Sequence, residues 1–404
     1  MKIAMIVRKL NVKGGTQRQM LSLARELRNK GHQIKIYTFA YSKNDCYEDL
    51  LDGFEVIVFV AKEKIRAPLT YYPNYAASAI KEGRESKKLA LQMDKDFDLL
   101  NPHDQVAYKV AHFYKKLVKN IPSVWNMNDV PSLQWGYDKM RGVDENFRQP
   151  LTKRIFYRIF DYYDAWRYIR KTQDSIVVVD DFNRRLVKKY LRSGKAVTVR
   201  NGPDLGHFSY TKRTLPRGGI KILTSGILMP HRRFEDSINA VNILRGKGYN
   251  ATLSIIGDYD NDKKYYQKLL DLVKNLKLEE YITFLGRVSE ADLINAYQTH
   301  DVYIFQHHLQ SDGLSPFEAV ACGLPIIISK TAGSHEVLTD HENALFIEPK
   351  NPQDIADRVT ELLENPQLFI KISEAGNTFV RGNFSWQKYA DNVMNIFTHA
   401  ISKN

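Results

Sequence analysis

The sequence predicts an α/β protein made of two Rossmann-like halves. Short apolar runs alternate with amphipathic stretches along the chain, which is the pattern of parallel βαβ units. The alternation breaks at a turn, Asn201-Gly202-Pro203-Asp204, and then starts again. The 404 residues suffice for two domains, and 43% hydrophobic with 26% charged residues is the balance of a soluble globular chain. The expected division is residues 1–200, residues 201–383 and a terminal helix, 384–404. No run of roughly eighteen apolar residues occurs, so no membrane-spanning helix is expected. The opening MKIAMIVRKL reads as a strand broken by Arg8 and Lys9 and not as a signal peptide. Cys46 and Cys322, without a CxxC, argue for a reducing, cytoplasmic setting and against structural zinc.

In the first half, residues 2–7 read as a buried strand and residues 16–30 as a helix that turns Met20, Leu21, Leu23, Ala24 and Leu27 inward. Gly14-Gly15-Thr16 opens that helix and can hold an anion, although the spacing is neither GxGxxG nor GxxxxGK. After the Gly31-His32 turn come strands at 34–39 and 54–60. Residues 62–100 read as a long polar helical section with Tyr71, Tyr72 and Tyr75. It carries Asp94-x-Asp96, which in a helix-like charged run is not expected to bind a metal. Residues 105–119 form a basic helix, and residues 122–127 a strand that ends at Asn128-Asp129, which either caps the next turn or faces a ligand. Residues 153–171 read as a helix with an apolar stripe of Ile155, Phe156, Ile159, Phe160, Tyr163, Trp166 and Ile169 and a basic face of Lys153, Arg154, Arg158, Arg167, Arg170 and Lys171. The strand that follows at 175–179 favours packing of the stripe on a sheet, with the basic face left to approach lipid.

In the second half, strands are expected at 196–200, 220–225, 251–256, 282–285 and 302–305, with helices at 234–247, 263–276 and 290–299 between them. Asp258, Asp260 and Asp262 imitate the start of a calcium loop, but Lys263 and Leu269 stand where Gly and Glu are needed, so no metal is expected. The stretch 304–329, IFQHHLQSDGLSPFEAVACGLPIIIS, reads as strand, loop, helix, strand. Ser315 as N-cap, Pro316 at the first position and Glu318 at the third would form a capping box, and Gly323 and Pro325 stop the helix. Gly313 and Leu314 lie just ahead of that cap, so backbone N–H groups of 313–315 point out of a helix start, a ready anion site. Helices at 352–364, 367–380 and 385–402 complete the chain.

This stretch resembles the donor-site signature of the retaining glycosyltransferases of family 4, which have the GT-B fold: an acid, seven residues, a second Glu, then a small-residue helix ending Cys-Gly-Leu-Pro. "GLSPFEAVACGLPIIIS" matches with Glu318 as the second acid, and the first acid falls on Gln310. The opening strand, Gly-Gly loop, helix and Gly-His turn are also similar to the family's N-terminal pattern. The resemblance implies two Rossmann-like domains facing each other across a cleft, with the last helix crossing back to the first domain. It implies a nucleotide-sugar donor, UDP- or GDP-linked, bound by Gly15, Gly226, Arg287, Val288, Gln310, Asp312, Gly313, Leu314, Ser315 and Glu318, with no metal and no separate cofactor. Acceptor contacts fall by resemblance on Gly14, Thr16, His103 and Asn128. The family often has a His after the 122–127 strand; here Asn128 stands there, and Asp129 is the nearest ionisable group.

Breaking a sugar–diphosphate bond builds negative charge on the leaving phosphate, which fixed cations and N–H donors must meet. Arg232 and Arg233 match the family's basic pair, although Ile227 stands where its first Arg is usual and Phe234 where a Gly is usual. They are either this clamp, and with Asp129 the catalytic candidates, or two arginines that begin a helix. Gln310 accepts and donates hydrogen bonds but carries no charge, and Asp312 lies two residues on.

Residues 1–200 carry 38 Lys+Arg against 22 Asp+Glu, and residues 201–404 carry 21 against 24. The basic half either serves solubility or suits an anionic partner such as the inner membrane face or a lipid-linked acceptor. Nucleic acid is not expected, because no recognition motif accompanies the charge. The leading reading is transfer of a sugar to a glycan or lipid-linked acceptor in surface polysaccharide or glycoconjugate synthesis. A nucleotide-sugar epimerase of the same fold and a non-catalytic glycosyltransferase-like subunit stay open beside it.

Overall fold

A computed structural model of the chain describes residues 1–59 and 75–403, with the backbone alone for 75–77. Tyr71, Tyr72, the side chain of Tyr75 and the end of the strand expected at 54–60 lie outside the described residues. The chain divides into two compact units, Met1–Asn201 with Trp386–Asn404, and Gly202–Ser385.

The first unit runs β1 Lys2–Val7, α1 Gly15–Asn29, β2 Gln33–Thr38, α2 Glu48–Leu51, β3 Glu55–Val58, α3 Tyr75–Gln92, β4 Leu99–His103, α4 Ala107–Leu117, β5 Val124–Met127, α5 Leu133–Val143, α6 Leu151–Asp164, β6 Ser175–Val178, α7 Asp181–Leu186 and β7 Ala196–Thr198. Its strands pair in parallel in the order β3-β2-β1-β4-β5-β6-β7. Tyr37, Phe97, Leu100 and Tyr114 form one core cluster and Tyr108, Trp125, Ile169 and Ile176 another, and the register sets Tyr37, Leu100, Trp125 and Ile176 on the same face of the sheet.

The second unit runs β8 Ile220–Ser225, α8 Phe234–Gly246, β9 Ala251–Ile256, α9 Lys263–Asn275, β10 Ile282–Gly286, α10 Glu290–Thr299, β11 Val302–Phe305, α11 Leu314–Ala321, β12 Ile326–Ser329, β13 Leu345–Ile347, α12 Pro352–Glu364 and α13 Pro366–Asn383. The order is β10-β9-β8-β11-β12-β13, again parallel. The Ile-rich central strands, β11 and β12 buried at every position, suit a sheet covered on both faces. The last helix, α14 Trp386–Ser402, belongs to the first unit. Lys30 at the end of α1 meets Asp391 at 2.6 Å, and Asn126 of β5 donates to the Tyr389 hydroxyl at 2.7 Å.

The structure corrects four expectations. The helix before β4 ends at Gln92, so Asp94–Asp98 lies outside it, and residues 99–103 are a central strand where the sequence suggests helix up to residue 100. Asn101, Pro102 and His103 disguise that strand, because Pro lacks an N–H and is rare inside sheets. Asn101 compensates: its side chain donates to Val124 O at 2.6 Å and Asn126 Oδ1 at 2.8 Å. The strand expected at 196–200 at the head of the second half is a second difference, since β7 pairs with β6 and ends the first sheet. The third is the capping box, which does not form. Gly313, and not Ser315, is the N-cap of α11, and it supplies no side-chain cap. Glu318 is buried and accepts from the Tyr297 hydroxyl at 3.2 Å.

The fourth correction concerns α6, whose apolar stripe is expected to pack on the sheet. Ile155, Ile159, Tyr163 and Trp166 of the stripe are exposed instead, with Leu151 and Tyr162 beside them; Phe156 and Phe160 are half-buried, and Ile169 is the stripe member that is buried, together with Asp161, Asp164 and Ala165. Bonds made by the two carboxylates explain the inversion. Asp161 accepts from Leu133 N at 3.0 Å, Gln134 N at 2.9 Å and Ser132 Oγ at 2.7 Å, and so caps α5 from a neighbouring helix. Asp164 accepts from the Tyr108 hydroxyl at 2.6 Å and faces Lys109 Nζ at 3.4 Å.

Lys109 is itself buried between Asp164 and Glu82, the latter at 3.0 Å. Burial works against its charge, but the two carboxylates outweigh burial and its pKa rises. Removing the ammonium would leave buried carboxylates without their cation. Lys109→Ala should therefore lower stability by about 3–5 kcal/mol in urea denaturation, and a loss under about 1 kcal/mol would contradict this account.

Candidate functional site

Parallel sheets expose ligands to the carboxyl ends of their strands, above all where the connection direction reverses. In the second unit the reversal lies between β8 and β11. Three glycines, Gly226, Gly257 and Gly286, stand at the carboxyl ends of β8, β9 and β10. The backbones approach so closely that a Cβ on Gly257 would stand 1.9 Å from Gly226 O.

Arg232 reaches this edge. Its Nη1 lies 3.0 Å from Nδ1 of the buried His307, and a Cβ on Gly226 would be 2.9 Å from His307 Cε1 and 3.4 Å from Arg232 Nη1. Gln306 holds the Arg232 backbone, with Nε2 donating to Arg232 O at 3.0 Å, while its Oε1 accepts from Thr224 at 3.0 Å. Arg233 is placed differently. It adopts a left-handed conformation ahead of α8, its Nε and Nη2 donate to Asp236 at 2.9 and 2.6 Å, and its Nη1 meets Glu235 at 3.0 Å. The expected pair of guanidiniums is thus divided between the strand edge and the first turn of α8.

The start of α11 joins the same edge. The His307 ring packs on Phe305 with centroids 4.0 Å apart, and a Cβ on Gly313 would lie 3.2 Å from the Phe305 ring. Tyr303 bonds Ser225 at 2.7 Å and also engages the Ser315 side chain, which ties β8, β11 and α11 together. Gly313, Leu314 and Ser315 are half-exposed, and Asp312 and Glu318 are buried. Gln310 is half-exposed. Its Nε2 donates to Ser311 at 3.2 Å, and its backbone carbonyl accepts from Gly333 N at 2.9 Å. Arg287 is more peripheral: its Nη2 donates to Asp258 at 3.0 Å, and Val288 packs beside the Tyr297–Phe305 core. A guanidinium and half-exposed amides along one strand edge can receive a phosphate. Gln306, His307, His308 and Asp258 join the edge without having been expected as site residues. The His-His pair one residue after an apolar run is the one signal the sequence offers for two of them.

In the first unit the reversal lies between β1 and β4. Arg8, just past β1, faces Asp104, just past β4, at 3.5 Å. Burial raises the Asp104 carboxyl despite Arg8, and burial with the Arg8 charge lowers Lys9. Val106 has φ +75°, a strained value for a β-branched residue, at the end of the same loop. Asn128 donates to Thr16 at 2.8 Å, joining the β5 end to the α1 start beside Gly14 and Gly15, and Asp129 is exposed. His103 is placed otherwise than expected. It is fully buried, with Nε2 against Asn101 Oδ1 at 2.7 Å, so it has no surface to offer an acceptor.

The family model described as Glycosyl transferases group 1 matches residues 210–379, and that described as Glycosyltransferase Family 4 matches residues 13–207. The D-inositol 3-phosphate glycosyltransferase of Saccharomonospora viridis is 24% identical over 57% of this chain, and the match spans little more than half of that relative, 56%. The mannosylfructose-phosphate synthase of Agrobacterium fabrum is 21% identical over 94% of this chain and 85% of its own. The crystal structure of Anabaena HepE in complex with UDP shares the fold, with TM-score 0.75 at 15% identity over 99% of this chain and 100% of that one.

Burial holds the pKa of His103 down at about 3, from an ordinary 6.5. Above the ordinary value the folded and unfolded chains are both neutral there. Between the two values the unfolded chain takes up a proton that the folded chain refuses, so stability falls as pH falls, by up to ~1.4 kcal/mol per pH unit. His103→Gln should flatten that part of the stability profile between pH 6.5 and the acid limit. Identical slopes for both proteins in denaturant titrations would refute it.

Proposed function

From the premise that this chain belongs to the family 4 glycosyltransferases and has their GT-B fold, we propose that it moves a sugar from a UDP- or GDP-linked donor to a glycan or lipid-linked acceptor, with retention and without a metal. The observation that carries the reading is the meeting of Arg232 and the α11 start at the edge where β8 and β11 diverge. In the transfer, the bond from the anomeric carbon to the diphosphate oxygen breaks, and the acceptor hydroxyl bonds to that carbon as its proton passes to the departing diphosphate oxygen. Arg232 and the amides of 313–315 meet the charge that grows on the diphosphate. Glu318 and Asp312 line the donor side, with Arg287 and Val288 toward the base. Asp129, Asn128 and Thr16 serve the acceptor, with Asp129 as the ionisable group beside Asn128. No described helix is long and apolar enough to cross a membrane. In this reading a lipid-linked acceptor is met at the inner membrane face, in surface glycan synthesis.

Gln310 favours a second reading, a non-catalytic subunit, because it puts an uncharged amide where the family has an acid. Transfer or donor hydrolysis by the isolated chain would eliminate that reading.

Arg232→Ala should lower kcat by about 10²–10³-fold and shrink the thermal shift given by UDP or GDP. Arg233→Ala should act mainly on stability, since Asp236 and Glu235 already hold that side chain. Gln310→Glu should keep nucleotide binding. Full activity in Arg232→Ala would remove the main support for the donor site.

A further inference from the structure

Six large apolar side chains on α6 and its π-helical continuation, residues 165–170, are exposed: Leu151, Ile155, Ile159, Tyr162, Tyr163 and Trp166. At ~100° per residue they fall within about one third of the helix circumference. Leu151 and Ile159 are 67% and 65% exposed, far above what a packed face would show. The helix cannot roll to hide them without withdrawing Asp161 from the α5 start and Asp164 from Tyr108 and Lys109.

The surroundings are cationic. Residues 151–200 hold thirteen Lys+Arg and five Asp+Glu, and three of those acids, Asp161, Asp164 and Asp180, are buried. Arg154 and Arg158 are exposed along one margin of the stripe. Lys171 Nζ lies 4.2 Å over the Trp166 ring, and the Arg192 guanidinium lies 5.2 Å from the Tyr162 ring. Aliphatic side chains flanked by Trp, Tyr, Lys and Arg match the two layers of a bilayer interface, acyl chains below and anionic headgroups above. A second copy of the chain fits poorly, because pairing this face with itself would set Arg154, Arg158 and Lys171 against their equivalents.

We propose that the exposed α6 face is a docking surface for an anionic lipid bilayer, with Leu151, Ile155, Ile159 and Trp166 entering the headgroup–acyl boundary and the surrounding cations binding lipid phosphates. This deepens the proposed function by naming the surface at which a lipid-linked acceptor would be met, but it needs no donor chemistry.

The test is co-sedimentation of the full chain with vesicles of phosphatidylcholine alone or mixed with phosphatidylglycerol. The wild type should bind the mixed vesicles, less tightly as salt rises, and its Trp166 emission should shift to the blue relative to Trp166→Phe. Ile155→Ser with Ile159→Ser should weaken partitioning at least about tenfold, and Arg154→Glu with Arg158→Glu should reduce the salt dependence. Thermal shifts with UDP and GDP, measured on the same variants, show that they are folded and read the donor site separately. Wild-type binding that ignores lipid charge, or no binding at all, would overturn the proposal. So would unchanged binding by the Ile variant, or a wild-type dimer that the Ile variant abolishes.

Discussion

The contact between Arg232 and His307 sets the form of the second unit's ligand edge. A guanidinium only donates, so Nδ1 of His307 must accept, and the ring is fixed as it stands against Phe305. That ring occupies the space that a side chain at 226 would need, and Phe305 in turn abuts Gly313. One buried imidazole thereby links the cation to the helix start. Gly226 is demanded by that ring, and Gly257 by the Gly226 carbonyl, which a Cβ there would meet.

Much of this arrangement is legible in the sequence because it depends on local patterns. The alternation of strands and helices, the break near residue 201 and the 304–329 stretch are all short-range signals. The losses come where long-range partners decide. β4 escapes because Asn101-Pro102-His103 has none of the usual strand character, and Asn101 is accounted for only by β5 lying beside it. Glu318 suits a capping box by spacing, yet Tyr297, distant in sequence, claims it. Arg232 and Arg233 are adjacent and suggest one clamp; Asp236 and Glu235 hold the second one back on its own helix.

The orientation of α6 makes the same point with larger consequences. By hydrophobicity alone the stripe belongs inside. Two carboxylates with hydrogen-bond partners on α4 and α5 decide otherwise, since turning the stripe inward would withdraw them from the α5 amides, Tyr108 and the buried Lys109 ammonium.

The first unit is interrupted, since its chain departs at Asn201 and resumes only at Trp386. During synthesis the Tyr389 hydroxyl that satisfies Asn126 arrives after every residue between them has been made. The intervening unit is continuous, and until α14 docks, Asn126 has Asn101 of β4 as its side-chain partner and lacks Tyr389. The last helix therefore closes the first sheet only after every residue of the second unit has been made.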